Sequence, residues 1–200
     1  MDIDFTIITE TMAEQGYIVL TDFIAADLTE QLHQHVSTLP ESAFNTAKIG
    51  RQQSVQQLET VRNDKTAWLS NAYPVEQAYL DTMDTLRTQL NRQLFLGLRD
   101  FEAHFAHYPP GHFYQRHVDA FKGQSNRVIS SVFYLNPDWS EQDQGQLVLY
   151  QPDGEVQIQT VMPMMGTLVL FLSEQFPHEV LPARRDRYSI SGWFRTDTVL

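Results

Sequence analysis

At 200 residues and 42% hydrophobic content, the chain can bury one substantial core, and no segment reads as a repeat or low-complexity tract. Acidic residues outnumber basic ones by 25 to 14, for a net charge of −11, which argues against a generic nucleic-acid surface because phosphate binding needs clustered Lys and Arg. The absence of cysteine excludes disulfides, Cys-rich zinc sites and a thiol nucleophile.

Along the chain, a short polar helix is expected first, followed by the β-rich run Gly16-Tyr17-Ile18-Val19-Leu20. Asp27 is placed to cap a helix over Leu28 to Val36. A polar region at about 38 to 66 comes next. From Val75 to Leu96, apolar residues at Ala78, Tyr79, Met83, Leu86, Leu90, Leu94 and Phe95 recur near the helical period, so a long amphipathic helix should pack on a sheet. From Phe101 onward, short β-branched and aromatic runs alternate with turn signals such as Pro109-Pro110-Gly111, Asn136-Pro137-Asp138 and Pro152-Asp153-Gly154. That pattern predicts an antiparallel β-sandwich or barrel, and so an α+β fold. Met1-Asp2-Ile3-Asp4 lacks the basic flank of a signal peptide and no apolar stretch reaches transmembrane length, so the expectation is a soluble cytoplasmic protein without a membrane partner.

The chemistry concentrates at His117-Val118-Asp119, with His178 and Arg187 at a distance. In an extended segment residues i and i+2 project to one side, so His117 and Asp119 can ligate one ion while Val118 points away. His178 follows the apolar run Gly166 to Leu172, which reads as a core strand, and would supply a third ligand. Two imidazoles and one carboxylate on one face of a metal leave its other positions open, the arrangement of non-heme Fe(II) oxygenases. His33, His35, His104, His107 and His112 have no comparable partners and read as surface or structural histidines. Arg187 heads the apolar run Tyr188 to Trp193 and is a better carboxylate anchor than Arg184 or Arg185, which follow Pro182 in an expected solvated turn.

Several segments together resemble the 2-oxoglutarate and Fe(II)-dependent prolyl hydroxylases, especially the hypoxia-sensing type and its bacterial relatives. His178 to Phe194 is similar to that family's final strands, Tyr108 to Asp119 to its run into the first metal ligand, and Arg127 to Trp139 to its next strand. Val61 to Leu69 resembles the family's Arg-Gly-Asp-Lys-x-x-Trp segment. The likeness spans about residues 61 to 194. Departures are Pro110, a Tyr108 to His117 interval one residue shorter than in the animal enzymes, and Asn63 in place of glycine; they bear on loop shape and substrate choice.

The resemblance implies a single domain over 1–200, with a helical support layer and early strands over 1–97 and a double-stranded β-helix, a jelly roll, over 98–200. It implies that His117, Asp119 and His178 hold Fe(II) and form the catalytic centre. Arg187 and Tyr134 would hold the distal carboxylate of 2-oxoglutarate, and Tyr108 would line the iron pocket. Arg127 and Trp193 would stand at its mouth, and Arg62 and Asp64 near a mobile loop over it, as substrate-side residues. The implied reaction couples oxidative decarboxylation of 2-oxoglutarate to succinate with C–H hydroxylation by dioxygen, and ascorbate is a candidate reductant. Prolyl C4 hydroxylation of a protein is the family expectation, with elongation factor Tu the candidate substrate and no nucleic-acid partner. The other readings are an oxygenase of an amino acid, small molecule or nucleic acid; an iron and 2-oxoglutarate sensor without turnover; and a cupin-like isomerase or structural jelly roll needing neither Arg187 nor 2-oxoglutarate.

Overall fold

Asp4 starts the first helix: its side chain accepts a hydrogen bond from Thr6 N at 3.0 Å and caps α1 (Phe5–Gln15). A computed structural model describes residues 4–46, 62–121, 123 and 125–197; Val61 and most of the polar region noted above lie outside the described residues. Gly16 closes α1 at φ 78°, and a Cβ there would stand 2.9 Å from Phe176 Cε2, so conformation and space both require glycine. Strand β1 (Tyr17–Leu20) follows directly.

Helix α2 (Ala26–Thr38) starts before the expected cap at Asp27. Ala25 takes the capping position without a side-chain hydrogen bond, and Asp27 lies in the first turn, where its carboxylate complements the positive helix end. After the short strands β2 (Asn45–Thr46) and β3 (Lys65–Trp68), helix α3 (Pro74–Leu94) buries Tyr79, Met83, Leu86 and Leu90 on one stripe. Phe95, expected on that stripe, is instead 88% exposed, because it turns left-handed at φ 54° and ends the helix.

The remaining strands are β4 (Asp100–Tyr108), β5 (Tyr114–His117), β6 (Arg127–Tyr134), β7 (Leu147–Tyr150), β8 (Gln157–Val161), β9 (Leu168–Leu172), β10 (His178–Val180) and β11 (Arg187–Arg195). A seven-stranded sheet runs β1-β9-β6-β11-β4-β3-β2, and a four-stranded sheet runs β5-β10-β7-β8. Every pairing between these strands is antiparallel.

Strand β9 shows why its sequence is uniformly apolar. Leu168 and Leu170 face the helices, packed with Leu32, Tyr79, Met83 and Phe133. Val169 and Phe171 face the other way, with Leu147, Leu149 and Val180 of the smaller sheet. A strand covered on both faces has no polar side to present. Each fully buried Leu or Phe contributes roughly 1.5–3 kcal/mol relative to exposure. The two facing sheets with helices behind the larger one form the jelly-roll core flanked by helices that the sequence suggests. Among the described residues, no helix is long and apolar enough to cross a membrane.

Candidate active site

Strands β5 and β10 pair so that His117 stands directly opposite His178, with ring centroids 4.2 Å apart. Asp119 lies just beyond the end of β5, so a bend and not continued strand alternation brings its carboxylate back to the imidazoles. Its Oδ1 is 3.5 Å from His117 Nε2 and 3.8 Å from His178 Nε2. Ligand atoms of the three residues all fall within 4.8 Å of one another, the only such group among the described residues. As expected, His178 follows the apolar core strand: that run is β9 of the larger sheet, and His178 opens β10 on the opposing one.

Each ligand is held from behind. His117 Nδ1 donates to Gln115 O at 2.8 Å and His178 Nδ1 to Phe176 O at 3.1 Å, which leaves both Nε2 lone pairs facing the carboxylate. Asp119 Oδ2 accepts from Ser130 Oγ at 2.6 Å, and Ser173 Oγ lies 2.9 Å from Ser130 Oγ. Burial pushes the pKa of His178 down to about 4, with Asp119 partly opposing, so the ring is neutral at pH 7 as a metal ligand must be. Burial also disfavours ionised Asp119, but the two imidazoles and Ser130 prevail and hold it well below the usual carboxylate range.

Tyr114 stacks on the His117 ring at 3.5 Å, and the Arg62 guanidinium lies 4.8 Å above Tyr114. Asp64, fully buried, takes Arg62 Nη2 at 2.8 Å and fixes that stack. Asn63, standing where the family pattern has glycine, accepts from Phe113 N at 2.8 Å and from His112 Nδ1 at 2.5 Å, tying the approach to β3 onto the loop before β5. On the outer face, the Arg116 guanidinium lies 3.6 Å over the Tyr150 ring, and the Tyr150 hydroxyl donates to Glu179. The neighbours of both histidine ligands are thereby bound together.

A cavity of about 670 Å³ opens from this triad, and Arg187 lines its inner end. Arg187 is 1% exposed; its Nε donates to Gly145 O at 2.9 Å, while Nη2 has no protein partner. Gly145, at φ 75°, sits so close that a Cβ would meet Ala183 Cβ at 2.7 Å. The Arg187 guanidinium carbon is 5.0 Å from the Tyr134 ring and 5.1 Å from the Tyr108 ring. The hydroxyls of Tyr134 and Ser189 are likewise buried without partners. Burial pushes the Tyr134 phenol up to about 12, so it remains a donor.

On the cavity wall, Arg127 stacks 3.6 Å over Trp193 and is held by Glu102 at 3.1 Å. The remaining histidines do not approach the triad: His35 pairs with Glu76 at 2.8 Å and His107 with Asp186 at 2.7 Å, whereas His104 lines the cavity. Arg184 is exposed as expected, but Arg185 is pinned, 4.5 Å over the Trp139 ring and bonded to Pro137 O.

Residues 103–195 match the model of the 2OG-Fe(II) oxygenase superfamily. A Pseudomonas putida prolyl-4-hydroxylase crystal structure is similar at 40% identity and TM-score 0.87, over 97% of this chain and 100% of that one. The chain belongs to the 2OG-Fe(II) oxygenase superfamily. A Trichoplax adhaerens prolyl hydroxylase, solved with a hypoxia inducible factor peptide fragment, is 28% identical at TM-score 0.86, covering 96% of this chain and 89% of that one. Human Egl nine homolog 1 is 29% identical over 195 residues, which are 94% of this chain and 45% of the relative. This oxygenase spans about half the length of the first curated relatives it matches.

The family uses Fe(II), 2-oxoglutarate and dioxygen, and the residues present fit them. The triad is a candidate iron site, offering two imidazole lone pairs and one carboxylate oxygen from one side. A buried guanidinium arm and two buried hydroxyls without protein partners suit the far carboxylate of a dicarboxylic acid.

Proposed function

We propose that this oxygenase is a prolyl 4-hydroxylase of a protein substrate, with a proline of elongation factor Tu as the candidate target. The observation that carries the 2-oxoglutarate role is Arg187, a nearly inaccessible cation with one arm unpartnered beside the free Tyr134 hydroxyl. The prolyl assignment is supported by likeness to the Pseudomonas putida enzyme along the whole of that chain.

In this reading His117, Asp119 and His178 hold Fe(II), with the backbone carbonyls behind the imidazoles and Ser130 behind the carboxylate keeping the donors aimed. Arg187 and Tyr134 bind the distal carboxylate of 2-oxoglutarate, and Tyr108 walls the pocket against water. Bound Fe(II) with 2-oxoglutarate and dioxygen supplies the oxidation: the keto acid loses carbon dioxide to become succinate, which keeps one oxygen atom, and the other enters a C–H bond of the substrate. Arg127, Trp193, Arg62 and Asp64 belong to the substrate side, Arg127 and Trp193 at the mouth and Asp64 through Arg62. Their task is to present one C–H bond and exclude others. The proposal treats 1–200 as one catalytic unit, with 1–97 supporting the core at 98–200, and places it in the cytoplasm, where 2-oxoglutarate and ferrous iron are available, with ascorbate as a candidate reductant.

Anaerobic titration with Fe(II) and 2-oxoglutarate, then oxygen and proline-containing peptides, tests the reading. A metal-to-ligand absorption band, succinate, and one added oxygen on a proline are expected, with the band weakened by Arg187→Ala. Iron-loaded, folded protein giving neither band nor succinate sinks it.

A further inference from the structure

His104 on β4 and Trp193 on β11 lie side by side on the cavity wall, with ring centroids 5.5 Å apart. They are 3% and 7% exposed. His104 Nδ1 donates to Phe105 O at 3.1 Å, so the neutral ring carries its lone pair on Nε2, which no described residue engages. Burial pushes this imidazole down to about 4, reinforced by Arg62, and it stays an acceptor at neutral pH. Trp193 Nε1 is a buried donor without a partner. An acceptor without a protein partner and a buried donor without one are therefore neighbours, framed by Trp68 at 5.2 Å from His104 and Arg127 stacked on Trp193.

A ligand that satisfies both must offer a donor and an acceptor on one side. A carboxylate offers only acceptors and an ammonium only donors, so each would leave one member of the pair unmet. An extended peptide residue presents its N–H and C=O to the same side. Trp68 is 56% exposed and Phe121 is 65% exposed on the same cavity's rim, so a chain can run outward across them. Proline itself has no N–H, and the donor must come from a neighbouring residue.

We propose that His104 and Trp193 are specificity residues that read one backbone unit flanking the target proline, His104 Nε2 accepting its N–H and Trp193 Nε1 donating to its C=O. The proposal rests on the prolyl hydroxylase reading above. It fixes the register of the substrate chain and so chooses which proline stands at the iron.

The test uses Fe(II)- and 2-oxoglutarate-loaded protein with a set of proline-containing peptides, those spanning the prolines of elongation factor Tu included. In a peptide that gains oxygen on proline, each flanking backbone N–H is replaced in turn by an ester oxygen. One ester should raise KM about tenfold with kcat nearly unchanged, the worth of one hydrogen bond. His104→Phe should raise KM for the amide peptide by a similar factor, and the same ester should then add nothing. The absorption band with Fe(II) and 2-oxoglutarate reports that the variant is folded. Esters that all keep the amide KM, the result if an ordered water meets the pair, overturn the proposal alone, as do penalties that multiply independently in His104→Phe. Succinate formation without oxygen added to any proline overturns the prolyl reading and this proposal with it.

Discussion

The two ends of the cavity treat their polar groups in opposite ways. At the metal end each ligand is braced by the protein: both imidazoles donate to backbone carbonyls, and Asp119 accepts from a serine that is itself met by Ser173. At the Arg187 end the protein spends one hydrogen bond on Gly145 O and leaves Arg187 Nη2 and the hydroxyls of Tyr134 and Ser189 buried without partners. An unmet buried polar atom costs about 1–3 kcal/mol, so a cluster of them makes sense where a ligand completes the set. One end is built to keep a geometry; the other leaves polar groups to be met from outside the chain, as the carboxylate of 2-oxoglutarate would meet them in the proposed function.

The largest effect should come from breaking the braced end at its centre. Asp119→Ala removes the carboxylate that lies between the two imidazoles and should abolish succinate formation, with Fe(II) affinity lowered by more than about 100-fold, beyond the range for lost supporting contacts. Chelation of wild type should do the same, with recovery on adding Fe(II). Anaerobic iron titration decides; tight iron binding by Asp119→Ala would mean that the triad is not the site. At the open end, Arg187→Lys keeps the charge but loses the planar fork. It should raise the 2-oxoglutarate Kd on the order of 100-fold while iron affinity stays within a few-fold, read by titrating the absorption band. Equal losses for both ligands would erase the distinction between the ends.

A finer cut is Ser130→Ala. It frees Asp119 Oδ2 without touching any ligand atom, and iron affinity should fall about 10-fold, with 2-oxoglutarate affinity at saturating iron little changed. Iron affinity identical to wild type would show that Asp119 needs no support from that hydroxyl.

The braced end and the open end were not equally legible in the sequence. His117-x-Asp119, His178 and Arg187 are long-lever residues whose chemistry announces itself, and the apolar run of β9 is unambiguous because both of its faces are buried. The supports could not be read in the same way. Ser130 lies on β6 and Ser173 in the turn just after β9, and they matter only because the pairing of β6 with β9 brings their hydroxyls together; a lone serine carries no signal of its own. Gly145 supports Arg187 through its carbonyl, which every residue has, and only its positive φ and the crowding by Ala183 reveal the position. His104 read as a structural histidine, and one face of it is: Nδ1 serves the backbone. Its other nitrogen acquires meaning only when β4 and β11 place Trp193 beside it. The helix ends were misplaced for a related reason, since Phe95 fits the apolar period but the helix stops there by turning left-handed.

The smallest effect concerns pH and separates His104 from the triad. Its pKa falls from 6.5 to about 4 because burial, helped by Arg62, disfavours the charged ring, while Asp64 and Phe105 O partly oppose. In the unfolded chain the same imidazole protonates near 6.5, so between those values the unfolded state binds more protons. The contribution of neutral His104 is therefore complete above pH 6.5 and is lost as pH falls towards 4, at up to about tenfold in the folding equilibrium constant per pH unit. Urea denaturation of metal-free protein at pH 7 and pH 5 should show wild type losing more stability than His104→Phe over that step, the carboxylate contributions being common to both. An equal loss in the two proteins would mean that His104 titrates in the fold as it does in the unfolded chain, so that burial does not hold it as a neutral acceptor below pH 6.5.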